Sequence, residues 1–217
     1  MTRVLALATS KGGTGKTTIA VALLDWWRRA GQALAVLDTD PNQSITRWLG
    51  KSSVFAEVTV SPCTQEHEIV PTVRALGASV DTVIIDTAGF SNQAMIFAVG
   101  VSDMVLTPVL SDEASLYEAV RMHQVVKSAA DLTGRTIAFR TLVNRSRRTL
   151  IERHMAKQLE SLGLNPLKAR VSDRAAFQEA SYHGLSPAGL MMGGKAWDDI
   201  RRVARELDKV LPVAHSN

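Results

Sequence analysis

One loop constrains this chain more than any other feature. Ser10-Lys11-Gly12-Gly13-Thr14-Gly15-Lys16-Thr17-Thr18 follows an apolar run at residues 3–8 and opens a helical pattern at 17–30. A glycine-rich turn between a strand and a helix is the context a phosphate-binding loop requires. Gly12, Gly13 and Gly15 let backbone N–H groups curl around an anion without Cβ clashes, and the helix N-terminus adds the positive end of its dipole. Lys16 is placed to neutralise β- and γ-phosphate oxygens, and the Thr17 hydroxyl is placed to ligate Mg²⁺. The strict pattern asks for glycine at position 10, where this chain has Ser10. In its place stands a second lysine, Lys11, immediately before the glycines.

The rest of the chain supplies the frame. Short runs rich in Val, Ile and Leu at 3–8, 33–37, 82–85, 104–109 and 136–143 read as strands buried on both faces. Helical spacing fills 17–30, 92–99, 113–130, 150–161 and 197–211. A further strand around 57–60 is expected to lead into a loop within the irregular stretch 52–68. This alternation predicts an α/β three-layer sandwich with a mostly parallel twisted sheet, ligands binding at the carboxyl ends of its strands. No repeat or long linker divides the 217 residues, so a single domain over 1–217 is expected. Cys63 is the one cysteine, which excludes an internal disulfide or thiolate cluster and fits a reducing compartment. The N-terminal apolar run is too short for a signal peptide or a membrane span, no other run reaches membrane length, and the first strand begins too early for a preceding DNA-reading domain; a cytoplasmic protein is expected.

Two further motifs place acids at strand ends. Leu37-Asp38-Thr39-Asp40-Pro41-Asn42-Gln43 puts a pair beside the loop, where a carboxylate can hold Mg²⁺ through water or orient an attacking water. The competing reading is a solvated turn with an aspartate at a helix cap. Val83-Ile84-Ile85-Asp86-Thr87-Ala88-Gly89 is a buried strand ending in an acid, the layout of a carboxylate that serves Mg²⁺ through its water shell, with Gly89 permitting a mobile turn.

A Lys-Gly-Gly-x-Gly-Lys-Thr loop after an N-terminal strand resembles the deviant Walker A motif of the ParA/MinD family of partition and positioning ATPases, and the chain looks most like its small single-domain plasmid-partition members. The resemblance spans residues 3–211, strongest in the first 90. It implies a P-loop NTPase architecture like that of the nitrogenase iron protein, and Mg-dependent hydrolysis of ATP to ADP and phosphate. By resemblance, residues 11–18 (Lys11, Gly12, Gly13, Thr14, Gly15, Lys16, Thr17, Thr18) hold the nucleotide, and Lys11 reaches across a sandwich homodimer to the other subunit's phosphates. Asp40 lies next to the hydrolytic water; Asn42 stands where the family more often has Gln. Thr17, Asp40 and Asp86 serve the metal. Asn144, closing the strand Leu142-Val143-Asn144, resembles the residue whose amide meets the adenine edge, though asparagine is also common in turns after strands. Val171-Ser172-Asp173-Arg174 through Phe177 and Ala180, followed by Gly184, resembles a late family segment around the nucleotide and dimer face, which leaves the roles of Asp173 and Arg174 open.

Charge adds a partner. The net charge is +4, but residues 1–133 hold 10 Lys+Arg against 13 Asp+Glu, leaving 15 against 8 for 134–217. Arg145, Arg147, Arg148 and Arg153 cluster at one strand-to-helix junction, and Arg201, Arg202, Arg205 and Lys209 on the last helix. The resemblance implies nonspecific DNA binding by the ATP dimer through such clusters, with nucleoid association and an adaptor protein that stimulates slow hydrolysis to segregate plasmid, chromosome or protein cargo; solvated helix faces would look the same. The last helix also allows a membrane reading, since Trp197, Ile200, Val203, Leu207, Val210 and Leu211 make one apolar face, but its acids would be repelled by anionic lipid and packing on the sheet is expected. A MinD-like membrane-associated regulator and a metabolic ATP-dependent enzyme are the rival readings. Trp26 and Trp27 are expected to cover the core and a neighbour, and the five scattered histidines show no zinc-ligand spacing.

Overall fold

The computed structural model describes residues 2–89 and 93–211. Six strands form one sheet in the order β3-β2-β4-β1-β5-β6, with every neighbouring pair parallel. They are β1 (Arg3–Leu7), β2 (Leu34–Asp38), β3 (Thr59–Pro62), β4 (Thr82–Asp86), β5 (Met104–Val109) and β6 (Ala138–Val143). The chain steps from β1 toward β3 on one side and returns through β5 and β6 on the other, so the order reverses around β1. In open α/β sheets, ligands bind at the carboxyl ends of the strands around that point.

Alternation along each strand divides the core. Leu5, Leu7, Val36, Ile84 and Leu106 face a layer built on α1 (Lys16–Arg29), α2 (Ser44–Leu49), α7 (Ala175–His183) and α9 (Lys195–Val210). Ala6, Leu37, Val83, Ile85 and Val105 face α3 (Glu66–Gly77), α4 (Gln93–Val101), α5 (Glu113–Thr133) and α6 (Leu150–Ser161). A short helix, α8 (Pro187–Leu190), links α7 to α9. Trp27 is buried with its indole N–H on Asp208 (2.9 Å), and Trp26 packs on Trp197. The apolar face of α9, including Ile200, Val203 and Leu207, is buried in the same layer.

Several elements differ from the sequence expectation. The stretch expected to run from a strand into a loop contains β3 two residues later than placed and then opens α3, which carries Pro71 inside it and buries Ile69 and Val73. The short helices α2, α7 and α8 were likewise absent from the expected pattern. The helix expected over 92–99 begins, among the described residues, at Gln93; Asn92 lies outside them. The outer edge of β6 is covered by residues 165–173, which bridge to it at Thr141↔Pro166 and to the turn after it at Ser146↔Ser172.

Candidate functional site

The glycine-rich loop leaves β1 and caps α1. Gly15 is the N-cap residue with φ 94, a left-handed conformation that glycine adopts without penalty, and a Cβ there would lie 2.3 Å from the Asn144 amide nitrogen. Lys16 is 7% exposed, and among the described residues its side-chain amine reaches the Thr9 carbonyl alone, at 3.4 Å. Burial pulls its pKa below the usual lysine value, against the opposing pull of Asp86 and Asp40.

Strand register brings the acids to this loop. Asp38 and Asp86 are register partners on β2 and β4, and Asp86 pairs with Leu7 at the end of β1. Asp86 is fully buried; the Thr17 hydroxyl donates to its Oδ2 (2.6 Å), while Oδ1 has no hydrogen-bond partner among the described residues. Burial first, then Asp38 and Asp40, push its pKa from 3.8 up to about 7, against Thr17 and Lys16. The pair that the sequence offered on β2 divides into two environments. Asp38 is buried and satisfied by the Thr46 N–H (3.1 Å) and hydroxyl (2.7 Å) and the Asp40 N–H (3.1 Å), so it holds the turn into α2. Asp40 accepts from the Asn42 N–H (2.9 Å) and lines the cleft. Gly89, after β4, packs so tightly on the loop that a Cβ would sit 2.9 Å from Gly12 Cα.

A cleft of about 730 Å³ opens over these groups, lined by Gly12, Gly13, Gly15, Lys16, Thr17, Thr18, Asp40 and Gly89, and walled by Arg47, Trp48 and Lys51. It continues past Gly15 and Thr18 into a recess of about 260 Å³ lined by Asn144, Arg145, Asp173, Phe177 and Gln178. Asn144 is buried there, donating its amide to the Thr14 carbonyl (2.7 Å). Thr14 itself is buried with its hydroxyl unbonded.

Lys11 points the other way. Its ammonium is held by both carboxylate oxygens of Asp112 (2.8 and 2.9 Å) and the Ser115 hydroxyl (3.1 Å). Asp112 is the N-cap of α5, and this pairing lowers its pKa despite some burial. Ser10 donates to Glu118 on the same helix.

The two basic clusters converge on one groove of about 760 Å³, where Arg148 and Arg153 meet Arg202 and Arg205 of α9. Lys168 and Arg170, from the segment edging β6, join them. Two buried carboxylates brace the groove. Glu152 accepts from the Ser146 hydroxyl, the Arg147 and Arg148 N–H groups and the Arg170 guanidinium, which hold its pKa below the usual carboxylate range against burial. Asp199 does the same for the Ser172 N–H, Arg174 and Arg202. Arg147 pairs with Asp173 beside the groove (2.7 Å), and Arg201 pairs with Asp198 (2.9 Å). Arg145 lies elsewhere, at the cleft and its recess.

Sequence reasoning missed Arg47, Trp48 and Lys51 on the walls, and Lys168 and Arg170 in the groove; Phe177 falls in the 171–180 segment whose resemblance pointed to the nucleotide. It also missed Asp112, although an Asp three residues before a Ser at the head of an apolar-periodic helix is a readable cap signal.

The chain matches the CobQ/CobB/MinD/ParA nucleotide binding domain over residues 5–188. It is 26% identical over 206 residues to the maintenance of carboxysome distribution protein A of Halothiobacillus neapolitanus, covering 94% of this chain and 95% of that one. It is 30% identical over 135 residues to the protein ParA of Rhizobium radiobacter, covering 62% and 61%. Its fold superposes on an ATP complex of a Cyanothece McdA variant with a TM-score of 0.80 at 15% identity, covering 100% of this chain and 98% of that one. A glycine-rich loop at the sheet's reversal point, within a family match that spans most of the chain, makes it a member of the CobQ/CobB/MinD/ParA nucleotide-binding family.

Proposed function

We propose that this chain is an ATP-driven switch in which two subunits sandwich ATP and Mg²⁺, the dimer binds DNA without sequence preference, and slow hydrolysis under an adaptor protein releases it. Residues 12–18 cradle the phosphates, with Lys16 on the β/γ oxygens and Asn144 at the adenine. The Thr17 hydroxyl and the unbonded Asp86 Oδ1 form a hard oxygen donor set of the kind Mg²⁺ takes, and the open cleft leaves room for the waters it keeps. Bound there, the ion would supply neutralising charge to the transferring phosphoryl group. Asp40, on the cleft wall, orients the attacking water. Phosphoryl transfer to water needs positioning and charge more than a covalent nucleophile.

The groove formed by Arg148, Arg202 and Arg205 with Arg153, Lys168 and Arg170 serves DNA phosphates, and contacts of that kind carry no sequence information. DNA is favoured over a membrane surface because the apolar face of α9 is already buried in the core. Among the described residues no helix is long and apolar enough to cross a membrane.

The observation that carries this reading is the contrast between the two lysines of one loop: Lys16 buried under the cleft, Lys11 outside it on Asp112. Lys11→Ala is expected to abolish hydrolysis and leave nucleotide binding measurable, a loss of about three to five orders of magnitude where such charges have been removed elsewhere. Lys16→Ala is expected to weaken binding itself. Normal hydrolysis by the Lys11 variant refutes the sandwich.

A further inference from the structure

Arg145 is two residues from Arg147 in sequence and on a different surface in the fold. Its neighbours are pinned. Asn144 donates its N–H to the Val109 carbonyl (2.8 Å), and Ser146 donates its N–H to Val171 (2.9 Å) and its hydroxyl to Glu152 (2.7 Å). Both neighbours are buried; Arg145 between them is exposed. Its φ of 52 is left-handed, a conformation a non-glycine residue adopts at a cost and one that clusters at functional sites. The turn separates the chain's two basic faces: Ser146 and Arg148 line the groove, whereas Arg145 lines the cleft and the recess.

Two features give it a task. Of the other arginines in this region, Arg147, Arg174 and Arg201 pair with Asp173, Asp199 and Asp198, Arg170 and Arg202 are partly neutralised by Glu152 and Asp199, and Arg148, Arg153 and Arg205 line the groove rather than the cleft. Among the described residues Arg145 makes no hydrogen bond or ion pair. It is also shared by both cavities, together with Gly15, Thr18 and Ser181. Gly15 and Thr18 bound the start of α1 on the side leading away from Lys16 toward Asn144 and Phe177, so the shared rim is where phosphates would give way to ribose.

We propose that Arg145 is a nucleotide-contact residue acting within its own chain, its guanidinium taking the α-phosphate and ribose portion of a nucleoside di- or triphosphate. The inference rests on reading the cleft as the nucleotide site. A planar fork with five donors suits a phosphate oxygen pair, and an unpaired guanidinium gives up no internal partner to bind one.

Calorimetric titration of ATP and ADP, each with Mg²⁺, into the wild type and Arg145→Ala tests it, alongside the salt dependence of DNA binding at saturating ATP. Loss of one charge-assisted hydrogen bond is expected to weaken ATP and ADP alike by roughly 10- to 100-fold. The slope of log K against log salt for DNA is expected to stay unchanged. Unaltered nucleotide affinities overturn the proposal, and a slope shallower by about 0.9 per phosphate would then return Arg145 to the DNA face. A loss confined to ATP overturns the within-chain role, because ADP carries the same α-phosphate. A wild type that binds neither nucleotide refutes the reading of the cleft, and the proposal with it; wild-type binding that the variant retains refutes the proposal alone.

Discussion

Asp86 is a buried carboxyl with a half-satisfied hydrogen-bond shell, and replacing it tests what burial does to it. Its carboxyl is fully buried, one oxygen is bonded to Thr17 and the other to nothing, and its pKa is raised from 3.8 to about 7. A carboxyl whose folded pKa lies above its unfolded one holds a proton that the unfolded chain has released. Its contribution to stability is therefore greatest at acid pH, falls as pH rises between those values and is at its minimum above the folded one. The rise from 3.8 to about 7 corresponds to about 4 kcal/mol in total, of which about 2 kcal/mol falls between pH 5.5 and pH 8. Asp86→Asn removes the titration and keeps the shape. In the nucleotide-free chain, the variant's stability relative to wild type should grow by about 2 kcal/mol over that window, or roughly 4–8 °C in melting midpoint for a chain of this size. His123, whose pKa is lowered by burial and Lys127, titrates there with the opposite sign but is common to both proteins and drops out of the difference. Denaturant melts of the two at pH 5.5 and 8 measure the gap. A gap that is flat with pH, or that shrinks toward pH 8, refutes the argument and shows Asp86 ionised and stabilised by Lys16. The same variant should lose the Mg²⁺-dependent part of its ATP affinity, so stability and function should move in opposite directions.

Gly89→Ala would place a Cβ 2.9 Å from Gly12 Cα and 3.3 Å from its nitrogen; displacing the loop at an overpacking cost of about 1–3 kcal/mol should weaken ATP roughly 5- to 100-fold in a titration, and an unchanged affinity would show the packing there to be slack. For DNA, affinity should appear with ATP and fall linearly with log salt; alanine at Arg148, Arg153, Lys168 or Arg205 should each make that slope shallower by about 0.9 for every phosphate no longer neutralised. Equal affinity with and without nucleotide would refute the switch while leaving the ATPase.

How much of this was readable depends on whether the signal is local. The β1–loop–α1 unit could be read because an apolar run, three glycines and a lysine fall within a dozen residues. Helix α6 was readable from its helical spacing over 150–161, and its start is fixed by the Thr149 hydroxyl accepting from the Glu152 N–H (3.2 Å). Helix α3 was not: a proline inside a helix, Pro71, reads locally as a breaker, and only Ile69 and Val73 are buried, too few to set a period. The strip covering β6 has no strand pattern, being anchored by backbone bonds on either side of Asn165 and Pro166. Arg145 and Arg147 look alike in sequence because nothing local announces the left-handed turn between the nucleotide cleft and the groove. Lys168 and Arg170 join that groove only because residues 165–173 lie along β6.

On the proposed reading, Lys16 is the resident charge of the loop and Lys11 the travelling one. Lys16 is buried under the cleft and among the described residues its side chain reaches the Thr9 carbonyl alone, at 3.4 Å, so an anion that enters the cleft meets a lysine with few internal partners to give up. Lys11 already has a counterion, but a weak one: its side chain is 28% exposed and that of Asp112 is 44% exposed, and ion pairs this open to water contribute only about 0–1 kcal/mol. Asp112 would not be stranded by its departure, since it still accepts from the Ser115 N–H at the head of α5 (2.7 Å). On the proposed reading, moving Lys11 from one carboxylate to the multiply charged phosphate tail of a second subunit therefore costs about 1 kcal/mol at most. The arrival of a partner, rather than the breaking of an internal ion pair, then sets when the second lysine acts. A strong internal lock on Lys11 would make Asp112→Asn a powerful activator of hydrolysis; the exposed pair here implies that the substitution raises the rate by less than about tenfold.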